Sequence, residues 1–591
     1  MSQMLKSSGA MGAATLTSRL LGLVREIAYT SFMGTSWVAD AFNLAFMVPN
    51  LFRRLLGEGA LTAAFIPIFK EKEKLEGETK MWHAANAVTS ALIAATSVVV
   101  VIGMTLISVL LFASGTMGAA FRMAIRLEGF MPIALGASLA GLGLRWLGRR
   151  RALPRSAWWT MVGAAWICVA FVLMLLAFGG LMLQHSGGGK TLLMLRLLRV
   201  MFPYLLLVCL AAAFMGMLNA RGHFFVPALG AAMLNVVMIA SVWWLAPKMG
   251  IKLEDQVFGL AVGVVVAGLA QAGFQGPLLH REGFQLRWVN PWHEPTVQRV
   301  IKQMIPGTIG VAAFQINVLL TQCMGFWVGE GVVASFGVAV RLMELPQGVF
   351  GISLATYLLP TLSGMAAEKK YAEFRSTLSQ GLGWLIFINL LAAALLFTLA
   401  EPIIRLLFER RMFDEASTDA SALALRCLAP GLVAFSVVNV LARAFFALGD
   451  THAPMRISVF CLAFNVGLAA ILVPYYKQGG LGSANTISAV LNMALLFYAL
   501  RKKLKRLELA AVRKDLPALI GAAVVAGLAA WVAAWQWEMR LGHRTLPFRI
   551  GEVFVPMALA AALYIGIATW TGVEHVQHLK KLIRGRFANR E

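Results

Sequence analysis

Stretches of about twenty apolar residues recur from one end of this chain to the other. A run of that length crosses the hydrocarbon core of a bilayer as a single helix, about 30 Å at 1.5 Å per residue. The runs are continuous rather than alternating, which argues against a transmembrane β-barrel. The expected fold class is therefore an all-α polytopic membrane protein. Composition agrees: 59% of the 591 residues are hydrophobic, against about 45–50% apolar in a soluble domain. Mean hydropathy is +0.74. Spans are expected at about 9–34, 38–69, 84–112, 129–147, 157–183, 200–220, 226–246, 256–279, 303–325, 333–360, 380–400, 424–447, 456–474, 481–500, 516–536 and 551–573, sixteen in all. Met1–Ser8 leads directly into the first of them, without a cleavable signal-peptide pattern.

The net charge is +24. In a soluble chain that excess would point to nucleic acid. In a membrane chain positive charge sets orientation, because Lys and Arg collect in cytoplasmic loops. The largest clusters are Arg145–Arg155 (RWLGRRRALPR), Arg501–Lys514 (RKKLKRLELAAVRK) and the tail after Glu574 (HLKKLIRGR). All three fall on one side if both termini are cytoplasmic and the number of spans is even. The basic tail would also suit anionic lipid headgroups, although topology control is the simpler reading. Cys168, Cys209, Cys323, Cys427 and Cys461 stand singly in apolar segments, so neither a disulfide framework nor a zinc site is expected. The nine histidines show no ligand spacing. SGGGKT at Ser186–Thr191 is not a P-loop: Gln184 stands where its first glycine belongs, and no strand precedes it.

The chain carries a weak internal repeat. Pro203, Ala220, Gly222 and Pro227 recur 227 positions later as Pro430, Ala447, Gly449 and Pro454, and Arg199 and Arg426 share the offset. The common pattern is a span, A-x-G-x-x-x-x-P, and another span, with Gly and Pro marking a tight turn. AAFIP at Ala63–Pro67 aligns with TYLLP at Thr356–Pro360 at an offset of 293. Together these matches fit two parallel halves, a common transporter plan. The offsets differ by 66, so the first half holds about that many extra residues, placed at about 118–188 and sufficient for two spans.

Four arginines fall in otherwise apolar helix: Arg19, Arg25, Arg53 and Arg341. Each would cost roughly 2.5–3.5 kcal/mol at a bilayer centre even on the mildest scale. Their number argues for a wet, polar cavity, and a cavity lined by cations implies an anionic ligand. Arginine suits phosphate, because its planar fork gives two parallel hydrogen bonds and it stays charged in a dry site. Arg19 and Arg25 are about 120° apart around a helix, so both can border a broad cavity but not one narrow stripe. Glu26, Asp40, Arg54, Glu58 and Glu344 accompany them as supporting charged residues. The bland alternative is ion pairing alone, Arg25 with Asp40 or Arg54 with Glu58. Pro346, Gly348 and Gly351 suggest that the span holding Arg341 is bent or irregular, as in many transporter sites. No nucleophile–base pair, metal cluster or nucleotide fold stands out.

SRLLGLVRE at Ser18–Glu26, followed by ADAFNLAFMVPNLFRRLLGEGALTAAFIPIF from Ala39, closely resembles the opening of the MurJ (MviN-type) lipid II flippase family. KQMIPGTIGVAAFQINVL at Lys302–Leu319, RLMELPQGVFGISLATYLLP at Arg341–Pro360, NARGHFFVPAL and FFALGDTHAP fit the same pattern. The resemblance covers nearly the whole chain outside the insertion. It implies the fold of the multidrug/oligosaccharidyl-lipid/polysaccharide exporter superfamily: two pseudo-symmetric helical lobes around a central cavity, plus two C-terminal spans. Fourteen family spans and the inserted pair would make about 16. The implied organisation is an N-lobe over 1–280 with the insertion, a C-lobe over 281–502, and a C-terminal span pair with a basic tail over 503–591. The implied function is moving lipid II, the polyprenyl-diphosphate-linked peptidoglycan precursor, from the inner to the outer leaflet of the bacterial cytoplasmic membrane.

By the same resemblance, Arg19, Arg25, Arg53 and Arg341 match the family's cavity arginines, which meet the diphosphate and sugar headgroup. The last two spans would form a groove for the polyprenyl tail. Two departures stand out: Glu26 replaces the Asp usual after the second arginine, and Val340 replaces the Asp often found before the second-lobe arginine. The second leaves any acid–arginine pairing at Arg341 open. No carboxylate in Gln303–Gly325 or Ile457–Pro474 matches the sodium site of some members. A non-enzymatic transporter is expected, a monomer driven by membrane potential, with no cofactor, nucleotide site or resident metal. Its partners would be lipid II, membrane lipids and cell-wall synthesis proteins, and not nucleic acid. Two alternatives are an exporter of a drug or another polyprenyl-linked saccharide, and a non-transporting cell-wall scaffold.

Overall fold

A computed structural model describes residues 20–57, 60–116, 189–223, 225–292, 294–508 and 510–573. Arg19, Glu58, the whole insertion at about 118–188 with its arginine-rich loop, and the tail after Val573 lie outside the described residues. The described residues are helical, with no strand among them. Eight of their helices are long and apolar enough to cross a membrane, and up to ten if two bent pairs each count as one span. The spans expected at 129–147 and 157–183 fall in the part not described, and the first is described only from residue 20.

The chain sorts into two compact units. Leu44–Arg53 and Phe65–Val300 form one; Met1–Asn43, Arg54–Ala64 and Ile301–Glu591 form the other. The lobe boundaries at 280 and 502 come from the family resemblance, whereas these units follow packing.

Helix α1 covers residues 20–33. Helix α2, Trp37–Phe52, runs into a π-helical turn at Arg53–Gly57, and α3 is Ala60–Glu76. Then come α4 (Glu78–Thr116), α5 (Gly189–Met201), α6 (Tyr204–Ala220), α7 (Phe225–Ala240) and α8 (Leu253–Arg281). Small residues let this first unit close. At Gly268 a Cβ would stand 2.8 Å from the Tyr204 ring, and at Gly263 it would strike the Ser241 hydroxyl. Helices of a membrane bundle gain their packing from such close approaches. Tyr204 is fully buried at the α6 end of this contact, and Gln275 donates from α8 to the Ala211 carbonyl at 3.1 Å.

The second unit continues with α9 (Pro295–Val328), α10 (Val332–Pro346), a π-helical turn at Gln347–Ile352 and α11 (Ser353–Ala367). Helices α12 (Tyr371–Thr398), α13 (Ala400–Phe408), α14 (Glu415–Leu428) and α15 (Gly431–Ala447) follow. Helix α16, His452–Leu504, breaks at Lys477 (φ 48°, ψ −123°), between the spans expected at 456–474 and 481–500. The C-terminal pair is α17 (Ala510–Leu541) and α18 (Leu546–Trp570). Ala522, Ala526, Ala530 and Ala534 recur every four residues on α17 and are all buried. Ala560, Tyr564 and Ala568 do the same on α18, and the Tyr564 hydroxyl donates to the Phe387 carbonyl of α12 at 2.8 Å.

The internal repeat is visible in the backbone. Pro203 and Pro430 each precede a helix in a bent pair, α5–α6 at 44° and α14–α15 at 48°. At the A-x-G turns Gly222 (φ 89°) and Gly449 (φ 71°) adopt left-handed backbone. The next amide then reaches back to close the helix: His223 N–H to Leu218 O at 2.9 Å, and Asp450 N–H to Phe445 O at 3.0 Å. That is a Schellman ending, which favours glycine because a Cβ is strained there. The π-helical turns at Arg53–Gly57 and Gln347–Ile352 also fall at nearly the offset of the aligned AAFIP and TYLLP segments.

Ion pairs pin both turns. Arg221 reaches Glu282 and Glu78 at 2.9 Å each and also meets Glu73, while His223 contacts Glu282 at 2.9 Å. Hydrogen bonds from Arg221, then His223, hold the Glu282 carboxyl below its ordinary value. Lys503 bonds Asp450 at 2.6 Å and lowers that carboxyl likewise.

Candidate functional site

Helices α1, α2 and α10 meet around the predicted charges of the second unit. Helix α10 starts at Gly331, whose left-handed backbone (φ 73°) turns the chain into the helix. The exposed amides of a helix start need acceptors, and Asp40 of α2 supplies them. Its two carboxylate oxygens accept from the Gly331 and Ala334 amides, each at 2.8 Å. Asp40 is completely buried. Its negative charge also complements the positive end of the helix dipole. Asp40 is thus a cap supplied by another helix.

Arg341 lies seven residues beyond Ala334, two turns along nearly the same face. Its guanidinium bonds Glu344 at 2.8 Å and Glu26 of α1 at 2.9 Å. Arg25 bonds the same oxygen, Glu26 Oε1, at 2.6 Å. The Arg25 guanidinium lies 5.5 Å from the centre of the Tyr29 ring, and Tyr29 meets Phe42 of α2 edge-on. Cation–π and edge-to-face contacts of this kind favour one arrangement of the arginine. Arg25 and Arg341 therefore converge on one carboxylate oxygen, although 316 positions separate them in sequence. The pairing left open at Arg341 goes to Glu26 and Glu344.

Arg53 donates to Asn50 Oδ1 at 2.8 Å, three residues back, at the start of the π-helical turn. It belongs to the other compact unit. Arg54 is half-buried on the same turn. Arg19 and Glu58 lie outside the described residues.

A second charged cluster escaped the sequence reading. Arg405 on α13 is 3% exposed and bonds Glu552 of α18, itself 1% exposed, at 2.8 Å. Arg405 also bonds Glu401 at 2.6 Å and has Glu538 of α17 at 3.5 Å. Arg549 bonds Glu409 at 3.0 Å, and Arg426 reaches Glu401 at 3.3 Å. The signal was available: Arg405 in EPIIRLLFER and Glu552 in GEVFVPM are ionisable residues among apolar ones, the pattern that singled out the first four arginines.

Comparison with known proteins agrees with this architecture. A model of the family described as "Lipid II flippase MurJ" matches residues 29–147 and 149–549. A protein of Vibrio cholerae serotype O1 named "Probable lipid II flippase MurJ" is 31% identical over 581 residues, covering 97% of each chain. The "Lipid II flippase MurJ" of Burkholderia cenocepacia is 30% identical over 568 residues, covering 95% of this chain and 96% of its own. Among solved structures, a lipid II flippase MurJ in an inward closed conformation superposes with a TM-score of 0.68 at 18% identity, covering 95% of this chain and 98% of its own. An inward-facing multidrug resistance MATE family transporter of the MOP superfamily reaches 0.56 at 14% identity, covering 84% and 98%. At such identities the structural likeness speaks for the fold. The family match and the full-length relatives speak for descent, and by them this chain belongs to the lipid II flippase MurJ family.

Proposed function

We propose that the chain is a lipid II flippase, carrying the polyprenyl-diphosphate-linked peptidoglycan precursor from the inner to the outer leaflet by alternating access. The observation that carries the reading is the family match across nearly the whole chain. The local chemistry supports it. Two guanidiniums share a single carboxylate oxygen of Glu26 at 2.6 and 2.9 Å. An oxygen of a diphosphate is of similar size and charge, so it can take that place without reorganising either arginine. Charge-assisted bonds from two such forks are among the stronger polar contacts available to a protein.

In this reading Arg25 and Arg341 receive the diphosphate, with Arg19 and Arg53 completing the headgroup contacts. Glu26 and Glu344 hold the guanidiniums in place until substrate arrives. The C-terminal pair takes the polyprenyl tail, and the termini face the cytoplasm of a bacterial inner membrane. Outward movement of net negative charge gains about 2.3 kcal/mol per charge per 100 mV from an inside-negative potential.

The test is lipid II binding and leaflet transfer by the purified chain in liposomes. Arg25→Ala and Arg341→Ala are each expected to weaken lipid II binding at least tenfold and to slow transfer. Glu26→Gln, which removes the competing charge, is expected to bind more tightly than wild type. Unchanged transfer after loss of both arginines would overturn the reading.

A further inference from the structure

We propose that Glu538, His543 and Glu552 form a site for a divalent transition-metal ion of the zinc class, at the turn joining α17 to α18. One ligand atom from each residue lies within 4.8 Å of the other two. His543 Nδ1 and Glu538 Oε1 are already 3.5 Å apart, close to the roughly 3.3 Å that separates neighbouring donors on a tetrahedral zinc ion. Glu552 has its Oε1 bonded to Arg405, while its Oε2 is buried without a hydrogen-bond partner. His543 Nδ1 also lacks one. A buried carboxylate oxygen left unsatisfied is costly unless something binds it.

Charge points the same way. Glu401, Glu409, Glu538 and Glu552 gather around Arg405, Arg426 and Arg549. Asp419 lies within electrostatic reach of the same group. Carboxylates outnumber guanidiniums in this cluster, a setting that suits a cation. An imidazole nitrogen with two carboxylates selects a zinc-like ion over magnesium or calcium, which prefer oxygen alone. Glu538 and His543 are 41% and 36% exposed, so an ion can enter from that side while Glu552 closes the floor. Arg405 is the positioning residue: it holds Glu552 Oε1 at 2.8 Å and leaves Oε2 for a ligand to satisfy. Bound metal would tie the α17–α18 turn to the buried base of α18, independently of the flippase reading.

The test uses the full chain without an affinity tag, stripped of metal in detergent and titrated with Zn2+ against a chromophoric chelator, with Mg2+ as control. One Zn2+ per chain is expected, with a rise in melting temperature and no comparable response to Mg2+. Glu538→Gln and His543→Gln are each expected to weaken Zn2+ binding at least tenfold. Both side chains are partly exposed, so these variants should fold even if Glu552→Gln does not. The proposal is overturned if monodisperse wild type takes up no Zn2+, or if the Glu538→Gln/His543→Gln double variant binds it as wild type does.

Discussion

Glu26 and Asp40 stand fourteen residues apart on neighbouring helices, yet their carboxylates do different work. Glu26 meets two side-chain cations, whereas Asp40 meets two backbone amides. The first arrangement can exchange partners; the second holds a helix start in place. Replacing Asp40 by Ala is expected to cost about 1–2 kcal/mol from the lost cap, read as a lower midpoint in denaturant unfolding. Asp40→Asn, which can still accept a hydrogen bond, should recover part of it. Gly331→Ala should be harmful too, because its Cβ would run into the Thr35 carbonyl and its φ of 73° is strained for any side chain. Sequence marked Asp40 as unusual because a carboxylate sat in apolar helix. It could not distinguish a cap from a cavity charge, since the amides it serves lie 291 and 294 positions away.

At the level of helices and turns, the repeat was legible because its punctuation is chemical. Gly222 and Gly449 end their helices in the one backbone region that glycine favours, and Pro203 and Pro430 mark the bends. The π-helical turns were not legible as such: RRLLG and QGVFGI share no residue pattern that distinguishes a wide turn from a tight one. Nor were the salt links of Arg221, whose carboxylate partners come from two distant stretches of chain, Glu73 with Glu78 and Glu282. Those links carry a pH signature. Glu282, Glu73 and Asp450 all have folded-state values held below their ordinary ones, by hydrogen bonds from Arg221, Lys70 and Lys503 first in each case. Their contribution is therefore present at neutral pH and is lost as pH falls through the depressed values, below the ordinary 4.5 of the glutamates. Arg221→Gln should lower the melting temperature at pH 7. The gap from wild type should close as pH drops below about 4.5, measured as melting temperature against pH. A gap that stays constant to pH 3 would mean that Arg221 acts through packing alone.

For the whole molecule, continuous apolar runs mark a helical membrane protein, and the opening motif marks the family. Orientation rests on charge asymmetry and makes a direct prediction. In a cysteine-free background, a cysteine at the exposed Lys248 should react with an impermeant thiol reagent added to intact cells. One at the exposed Lys505 should react only after the membrane is opened. The same pattern at both sites would overturn the expected topology. What the sequence did not reveal is that residues 20–43 fall in the same compact unit as the described residues from 301 to 573. Contacts separated by three hundred residues leave no local pattern. That grouping has a consequence in time. Asp40 emerges from the ribosome 291 residues before Gly331, an interval of about 15–60 s at ordinary synthesis rates of about 5–20 residues per second. Throughout it a carboxylate destined for complete burial has none of its native amide partners. The first hairpin must wait with that charge hydrated or sheltered by the insertion machinery, so biogenesis of this protein should be most vulnerable to interruption before α10 is made.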